Sequence, residues 1–411
     1  MASDLEVLRI PAGPEAAALL PHLARVLDGQ APPALPVPAD DPREIERLTG
    51  TLAPGTPIEH DAVLVLATSG STGVPKGALL TAAALRASAA ATHSRLGGVG
   101  TWLLALPAHH VAGMQVLLRS VAAGTEPVVL DVRDGFDPTA LPAAVAAMSG
   151  PRRYTSLVPT QLVKALADPD ATAALASLDA VLLGGAATPA PLLARATAAA
   201  IPVVRTYGMS ETCGGCVYDG VPLDGVRLRL GDEGRLRLGD DGRLRLGDDG
   251  RLRLGDDGRV SLGGPTLAAG YRGMPDHPAF AEPGWFRTDD VGRIGEDGRL
   301  RILGRVDDAI STAGLTVVPR VVEDVVTAVP GVAECVVVGV PDDRLGARVA
   351  ALVVLDAGAT VADDAIREHV ANELGREAVP RVVVRTAALP VRGPGKVDRA
   401  AALRRVIDEA R

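Results

Sequence analysis

Aromatic residues are nearly missing from this 411-residue chain: three Phe, four Tyr and two Trp make up 2% of it. Its core must therefore be built from Ala, Val and Leu. Three cysteines exclude a disulfide framework. Two of them, Cys213 and Cys216, form a Cys-Gly-Gly-Cys run, but a zinc site needs two further ligands and none sits nearby at suitable spacing. A redox dithiol, or two small residues packed behind a site, are the readings left. No uncharged apolar stretch reaches the roughly 20 residues that span a bilayer. The first residues lack the basic start and apolar run of a signal peptide. A soluble, cytoplasmic protein is the expectation. The net charge of −8 carries no basic footprint for nucleic acid. Neither nucleic acid nor membrane is therefore expected as a partner.

What is present is a globular composition, 47% hydrophobic, on a chain long enough for two or three domains of about 150 residues each. Glu15–Leu27 has helical apolar spacing, and the proline-rich run over 31–38 is extended. The apolar run Ala62–Ala67 reads as a buried strand. Thr81–Leu96 reads as a helix whose start would lie close to the loop before it. Apolar runs at 101–107, 128–130, 154–159, 181–183 and 203–205 alternate with Ala-rich helices. That pattern predicts an α/β fold of parallel sheets covered by helices, with ligand loops at the carboxyl ends of the strands. Further on, strands at 335–340, 350–354 and 381–385 and a helix over 365–374 predict a compact α+β unit.

Between strand and helix lies Thr68-Ser69-Gly70-Ser71-Thr72-Gly73-Val74-Pro75-Lys76-Gly77. Glycines let backbone N–H groups approach a phosphate, hydroxyls donate to its oxygens, and Lys76 supplies charge. The spacing is not that of GxxxxGK[ST], so this is not a Walker-type loop. The strand over 181–183 runs into Gly184-Gly185-Ala186, where glycines let a flat base or ribose lie against the backbone. Arg119 is a lone cation among Gln115-Val116-Leu117-Leu118, and a guanidinium facing a pocket could clamp a carboxylate bidentately. Residues 231–262 hold four tandem octads of the type Gly-Asp-Asp-Gly-Arg-Leu-Arg-Leu. Turn residues followed by alternating Arg and Leu predict a small β-meander, and its charges nearly cancel.

The loop at 68–77, together with Tyr207-Gly208-Met209-Ser210-Glu211-Thr212, resembles the signatures of adenylate-forming enzymes, the acyl-CoA synthetase and luciferase superfamily. Supporting stretches follow in the same order: Thr288-Asp289-Asp290, Gly304-Arg305-Val306-Asp307 and Gly393-Pro394-Gly395-Lys396. The resemblance implies a large N-terminal domain, 1–304, with the octads inserted in a hairpin and dispensable for chemistry. It implies a small mobile C-terminal domain, 305–411. It also implies ATP, Mg2+ and coenzyme A as ligands. Thr68–Gly73 and Lys76 would cradle phosphates, Gly184–Ala186 would border the adenine, and Tyr207 within Tyr207–Ser210 would stack on it. Glu211 would hold the metal, Asp290 the ribose, and Arg305 would reach the nucleotide. Asp307 would be the hinge and Gly314 would line the coenzyme A channel. Lys396, Lys76 and Glu211 would be catalytic, and His110, Arg119 and Thr160 would meet the acid. Two departures stand out: Asp289 replaces a glycine, and Ala313 replaces another beside Gly314.

The lead before Thr68 is shorter than in most of the superfamily. That lead, Ala108-His109-His110-Val111-Ala112-Gly113, Arg119 and the Tyr207–Cys213 run are similar to the o-succinylbenzoate–CoA ligase group of menaquinone biosynthesis. The implied partner is a small-molecule carboxylic acid. Another aryl- or acyl-CoA ligase, a free-standing adenylation enzyme and a non-catalytic nucleotide-binding scaffold stay open, as does homo-oligomerisation.

Overall fold

In this computed structural model the chain begins with β1 (Glu6–Ile10), α1 (Leu20–Leu27) and β2 (Ala34–Pro38). The structure describes residues 3–68, 75–231, 237–238, 244–246, 252–253, 257–312, 315–342, 344–392 and 396–409. Asp41 accepts the Glu44 amide at 3.0 Å and caps α2 (Pro42–Leu52). Pro42 opens that helix, where a missing N–H costs nothing. β3 (Ala62–Ala67) and β4 (Gly77–Thr81) form an antiparallel pair. The sheet order is β1-β2-β3-β4. β2 pairs with β3 at Ala34, ahead of Pro36 and Pro38, which have no N–H to offer a second neighbour.

Thr81 caps α3 (Ala82–Arg95) by accepting the Ala84 amide at 3.1 Å. The expectation that this helix starts beside the 68–77 loop is corrected here. The five residues of β4 intervene, carrying the helix start roughly 15 Å along the strand from the loop.

Next come β5 (Thr101–Leu104), α4 (Val111–Ala123), β6 (Val128–Val129), α5 (Leu141–Ala147), β7 (Arg153–Leu157) and α6 (Pro159–Ala165). They are followed by α7 (Pro169–Ala176), β8 (Ala180–Leu183), α8 (Ala190–Ala198), β9 (Val203–Met209), β10 (Gly214–Tyr218) and β11 (Val221–Pro222). The sheet runs β11-β10-β9-β8-β7-β5-β6. Strands β6, β5, β7, β8 and β9 are parallel, and β10 and β11 close one edge antiparallel. Trp102, Tyr154 and Tyr218 are fully buried among Leu, Val and Ala.

The chain continues through β12 (Arg227–Gly231), then β13 (Arg237–Leu238), β14 (Leu244–Leu246) and β15 (Leu252–Arg253), and β16 (Asp257–Gly263). β13, β14 and β15 form an antiparallel meander in which Arg237 faces Arg245 and Arg245 faces Arg253. The remaining octad residues at 232–236, 239–243, 247–251 and 254–256 lie outside the described residues. β17 (Trp285–Ile294) pairs with β18 (Leu300–Arg305) in a sheet ordered β12-β16-β17-β18. The hairpin β19 (Ile310–Thr312) and β20 (Leu315–Val317) leads to α9 (Pro319–Thr327). A three-stranded sheet, β21 (Val332–Asp342), β22 (Gly346–Leu355) and β23 (Val382–Arg385), carries α10 (Asp363–Leu374) between its last two strands. β24 (Val391–Arg392), β25 (Lys396–Val397) and α11 (Arg399–Glu409) end the chain.

Two compact units result. One takes Met1–Thr188, Arg195–Leu228 and Leu262–Arg287; the other takes Pro189–Ala194, Arg229–Ser261 and Thr288–Arg411.

In the first unit residues 269–272 run along β4: the Ala269 amide donates to Leu79 O (2.8 Å), Leu79 to Gly270 O (3.0 Å) and Arg272 to Gly77 O (2.8 Å). The Arg272 guanidinium, side chain 7% exposed, binds the carbonyls that follow α2, those of Leu52, Ala53, Thr56 and Pro57, and Glu59 at 2.5 Å. Arg272→Met would strand these acceptors, so it should lower unfolding free energy by about 2–4 kcal/mol. Urea denaturation with an unchanged slope checks this; a midpoint equal to wild type would contradict it.

Candidate active site

The carboxyl ends of the parallel strands carry most of the residues singled out above. β5 leads to His110, β7 to Thr160 at the start of α6, β8 to Gly184-Gly185-Ala186, and β9 contains Tyr207–Met209 before Ser210 and Glu211. Thr160 and Tyr207 are half-buried, while Gly185 and Ala186 are exposed. Two glycines are required by close approach. A Cβ at Gly208 would lie 2.1 Å from Gly214 O, and one at Gly184 would lie 2.3 Å from Thr206 Oγ1.

The base of the 68–76 loop is closed by the Thr68 amide donating to Lys76 O at 2.8 Å. Ser69, Gly70, Ser71, Thr72 and Gly73 lie outside the described residues. Ser210 Oγ donates to Ala67 O at 3.3 Å, so the Tyr207–Thr212 run meets the loop base. The Ala268 amide donates to Glu211 O at 2.8 Å, and Tyr271 Oη donates to the Glu211 carboxylate at 2.5 Å. Lys76 Nζ stands 5.1 Å from the Tyr271 ring centre and 3.2 Å from His277 Nε2. Glu211 is buried, and Lys76 and His277 are half-buried. The sequence reading missed Tyr271 and His277. The only signal was an aromatic residue in a chain that holds four tyrosines.

In the same unit α4 packs against β5, β7 and β10. His110 precedes its first turn, its ring 4.1 Å from that of His109. Burial pushes the His109 imidazole down to about 4, against the pull of Glu44 and Asp41. Arg119 is 3% exposed, 5.0 Å from the Trp102 ring centre, and donates to Tyr218 Oη at 3.4 Å. Among the described residues no carboxylate pairs with it, and its Nε has no partner. Burial lowers its pKa, with Tyr218 opposing. Beside it, Gln115 donates to Cys213 O at 2.7 Å while its Oε1 is unpartnered. Cys213 and Cys216 are free and fully buried. Burial pushes the Cys216 thiol up to about 12 and Cys213 higher still, so neither is a thiolate at neutral pH. Among the described residues no His, Cys, Asp and Glu cluster could hold a metal. The two cysteines therefore pack behind the site.

In the second unit Asp290 (8% exposed) faces Arg305 across β17 and β18. Arg305 binds Asp307 through Nε (2.8 Å) and Nη2 (2.9 Å) and lies 3.6 Å from Asp290 and 3.5 Å from Asp289. Burial alone would depress its pKa, but the Asp307 hydrogen bond and the three carboxylates raise it. Asp289, the departure from glycine, is also bound by Arg259 of the last octad. Lys396 opens β25 and pairs in register with Arg392; its side chain and Gly314 lie outside the described residues. Asp398 caps α11, and Arg399 binds Glu323 at 2.7 Å and Asp308 at 3.1 Å.

The sequence model of the AMP-binding enzyme family matches residues 9–272, and that of the AMP-binding enzyme C-terminal domain matches 321–396. The chain belongs to the AMP-binding enzyme family. A Mycobacterium tuberculosis relative named "Probable 2-succinylbenzoate–CoA ligase" is 52% identical over 409 residues, 99% of this chain and all of that protein. A sulfoacetate–CoA ligase of Cupriavidus necator is 33% identical over 391 residues, 94% of this chain and 73% of that one. The crystal structure of ATP-bound MatB from Rhodopseudomonas palustris superposes with a TM-score of 0.80 at 24% identity, covering 100% of this chain and 90% of the other. This AMP-binding enzyme thus has the fold expected: a large domain of parallel and mixed sheets under helices, and a smaller α+β domain. Among its described residues no helix is long and apolar enough to cross a membrane.

One buried and one half-buried histidine give this family member an acid limit. His93, which accepts the Trp102 indole N–H at 3.3 Å, is held down to about 4 by burial and by Arg119, and His109 to about 4, each from 6.5. The unfolded chain then binds more protons, so stability is full above about 6.5 and falls as pH drops toward 4. The thermal midpoint should fall between about pH 7.5 and about pH 4.5, and His109→Gln should narrow that fall. An unchanged slope in the variant would count against a neutral His109 in the folded protein.

Proposed function

We propose that this enzyme converts 2-succinylbenzoate and coenzyme A to 2-succinylbenzoyl-CoA at the expense of ATP, through an acyl-adenylate, in menaquinone biosynthesis. The observation that carries the reading is the full-length likeness to the M. tuberculosis relative, together with one charged cluster of Lys76, Glu211 and Tyr271 at the strand ends.

The difficulty of the first half-reaction is electrostatic. A carboxylate must approach the α-phosphate, and pyrophosphate must leave with its charge neutralised. Lys76, with Thr68 and the Ser69–Gly73 loop, would take the β- and γ-phosphates. Lys396 would bridge the acid and the α-phosphate. Gly184–Ala186 and Tyr207–Ser210 would receive the adenine, Asp290 the ribose hydroxyls and Arg305 the nucleotide. A single buried carboxylate suits Mg2+, which keeps most of its shell as water and phosphate oxygen. Glu211 would hold it, and the ion would supply charge neutralisation on the phosphates. In the second half-reaction the thiol of coenzyme A attacks the acyl carbon and AMP leaves, with Gly314 lining the channel. The reading divides the chain at 304 and 305, with Asp307 as the hinge of the small domain.

Arg119 supports the choice of acid. An enclosed guanidinium without a carboxylate partner is costly unless an anion reaches it. The second carboxylate of 2-succinylbenzoate is such an anion, with His110 and Thr160 nearer the reacting end. The sulfoacetate–CoA ligase likeness favours, as second reading, a ligase for another acid.

Pyrophosphate exchange with a panel of acids tests the whole. Exchange dependent on 2-succinylbenzoate is expected, and none with any acid would end the proposal. Lys396→Ala should slow adenylation by about 100-fold or more while thioester formation from supplied acyl-adenylate survives. Equal loss of both halves would withdraw the role given to Lys396. Arg119→Met should raise KM for 2-succinylbenzoate by about tenfold or more, and leave benzoate nearly unaffected. Equal effects on the two acids would remove Arg119 from recognition.

A further inference from the structure

Asp289 has no part in the scheme above, yet its carboxylate lies between two guanidiniums. Three neighbouring strands of one sheet, β16, β17 and β18, bring the groups together. Thr288 Oγ1 donates to Val260 O at 2.8 Å, which ties β17 to β16. The Val306 amide donates to Asp289 O at 2.9 Å, which ties the exit of β18 to β17. The two carboxylate oxygens are then divided. Oδ1 accepts from Arg259 Nη2, and Oδ2 lies 3.5 Å from Arg305 Nη2. Arg259 is itself fixed by its Nε, which donates to Thr288 O at 2.5 Å.

The contacts of Arg305 differ in kind. It donates two hydrogen bonds to Asp307, at 2.8 and 2.9 Å, and these set the plane of the guanidinium. Asp289 and Asp290 stand at 3.5 and 3.6 Å, where attraction remains but little direction is imposed. Asp290 has a use of its own, the ribose, whereas Asp289 adds charge alone. Among these five groups three carboxylates face two guanidiniums, so the cluster carries one negative charge in excess. Asp308, next along, is taken up by Arg399 at 3.1 Å. A nucleotide brings further negative charge to Arg305 and must compete with Asp289 for it. Arg259 eases that competition, because whatever share of the carboxylate it takes is withdrawn from Arg305.

We propose that Asp289 is a positioning residue that limits the hold of Arg305 on nucleotide phosphate, and that Arg259 of the last octad sets how far. This deepens the reading above and rests on it, since Arg305 is taken there to reach the nucleotide. A limited hold has a use: AMP must leave after each turnover, and an anion beside Arg305 hastens its departure.

The test uses the full-length protein, with AMP and with ATP and Mg2+ as probes in titration calorimetry. Asp289→Asn keeps the shape and removes the charge, and it should bind both nucleotides about threefold more tightly. A side chain that merely supported the fold would give no gain. In acid-dependent pyrophosphate exchange the KM for ATP should fall by the same factor with kcat within about twofold. Arg259→Met should bind AMP about threefold more weakly, and Arg259→Lys, which keeps the charge, should stay within about twofold of wild type. In the Asp289→Asn background Arg259→Met should have little effect, because the carboxylate through which it acts is gone. The differences should shrink in about 0.5 M salt, as expected of half-exposed charges. The proposal is overturned if Asp289→Asn binds AMP no more tightly than wild type, or if Arg259→Met weakens binding equally with and without the Asp289 charge. A wild-type protein that binds neither AMP nor ATP would instead overturn the reading of the site itself.

Discussion

The site depends on one backbone pairing between segments almost 200 residues apart in sequence. Residues 269–272 lie antiparallel to β4, and from that ladder Tyr271 reaches both Glu211 and Lys76. Through it the carboxylate that follows β9 and the lysine that precedes β4 share Tyr271 as a neighbour. Arg272 secures the ladder from behind by collecting the carbonyls after α2. The same few residues thus order the first sheet, the β9 terminus and the Thr68–Lys76 closure together.

The central sheet supplies the other constraint. Parallel strands present their carboxyl ends at one edge, where turns are free to vary in sequence. His110, Thr160, Gly184–Ala186 and Tyr207–Glu211 are scattered over a hundred residues of chain, yet each follows or ends one of four such strands. Small residues let the turns approach closely. Gly208 lies against Gly214 with no room for a side chain.

Much of this was legible beforehand because it is local. Ala62–Ala67 and the runs at 154, 181 and 203 are apolar and short, and the helices between them are rich in Ala. The octads announced their own meander through period-two Arg and Leu. What escaped was non-local or masked by composition. β2 contains two prolines, which argue against an inner strand, and it is accommodated because its pairing with β3 is confined to Ala34. The cap of α2, Asp41-Pro42, was visible, but Gly50 between two threonines hid the helix itself. Tyr271, Arg272 and His277 sit in a Gly- and Pro-punctuated stretch without periodicity, and their partners are fixed only by the fold. Tyr154, Tyr218 and Tyr271 each use the hydroxyl in a hydrogen bond. In a chain so poor in aromatics, that scarcity was the clue left unread.

The arginine of the last octad, Arg259, holds Asp289, the residue that departs from the usual glycine. The last octad is therefore tied to β17 through this arginine. Since facing arginines recur every eight residues, an even number, gaining or losing whole units leaves the alternation of faces and the final tether as they were.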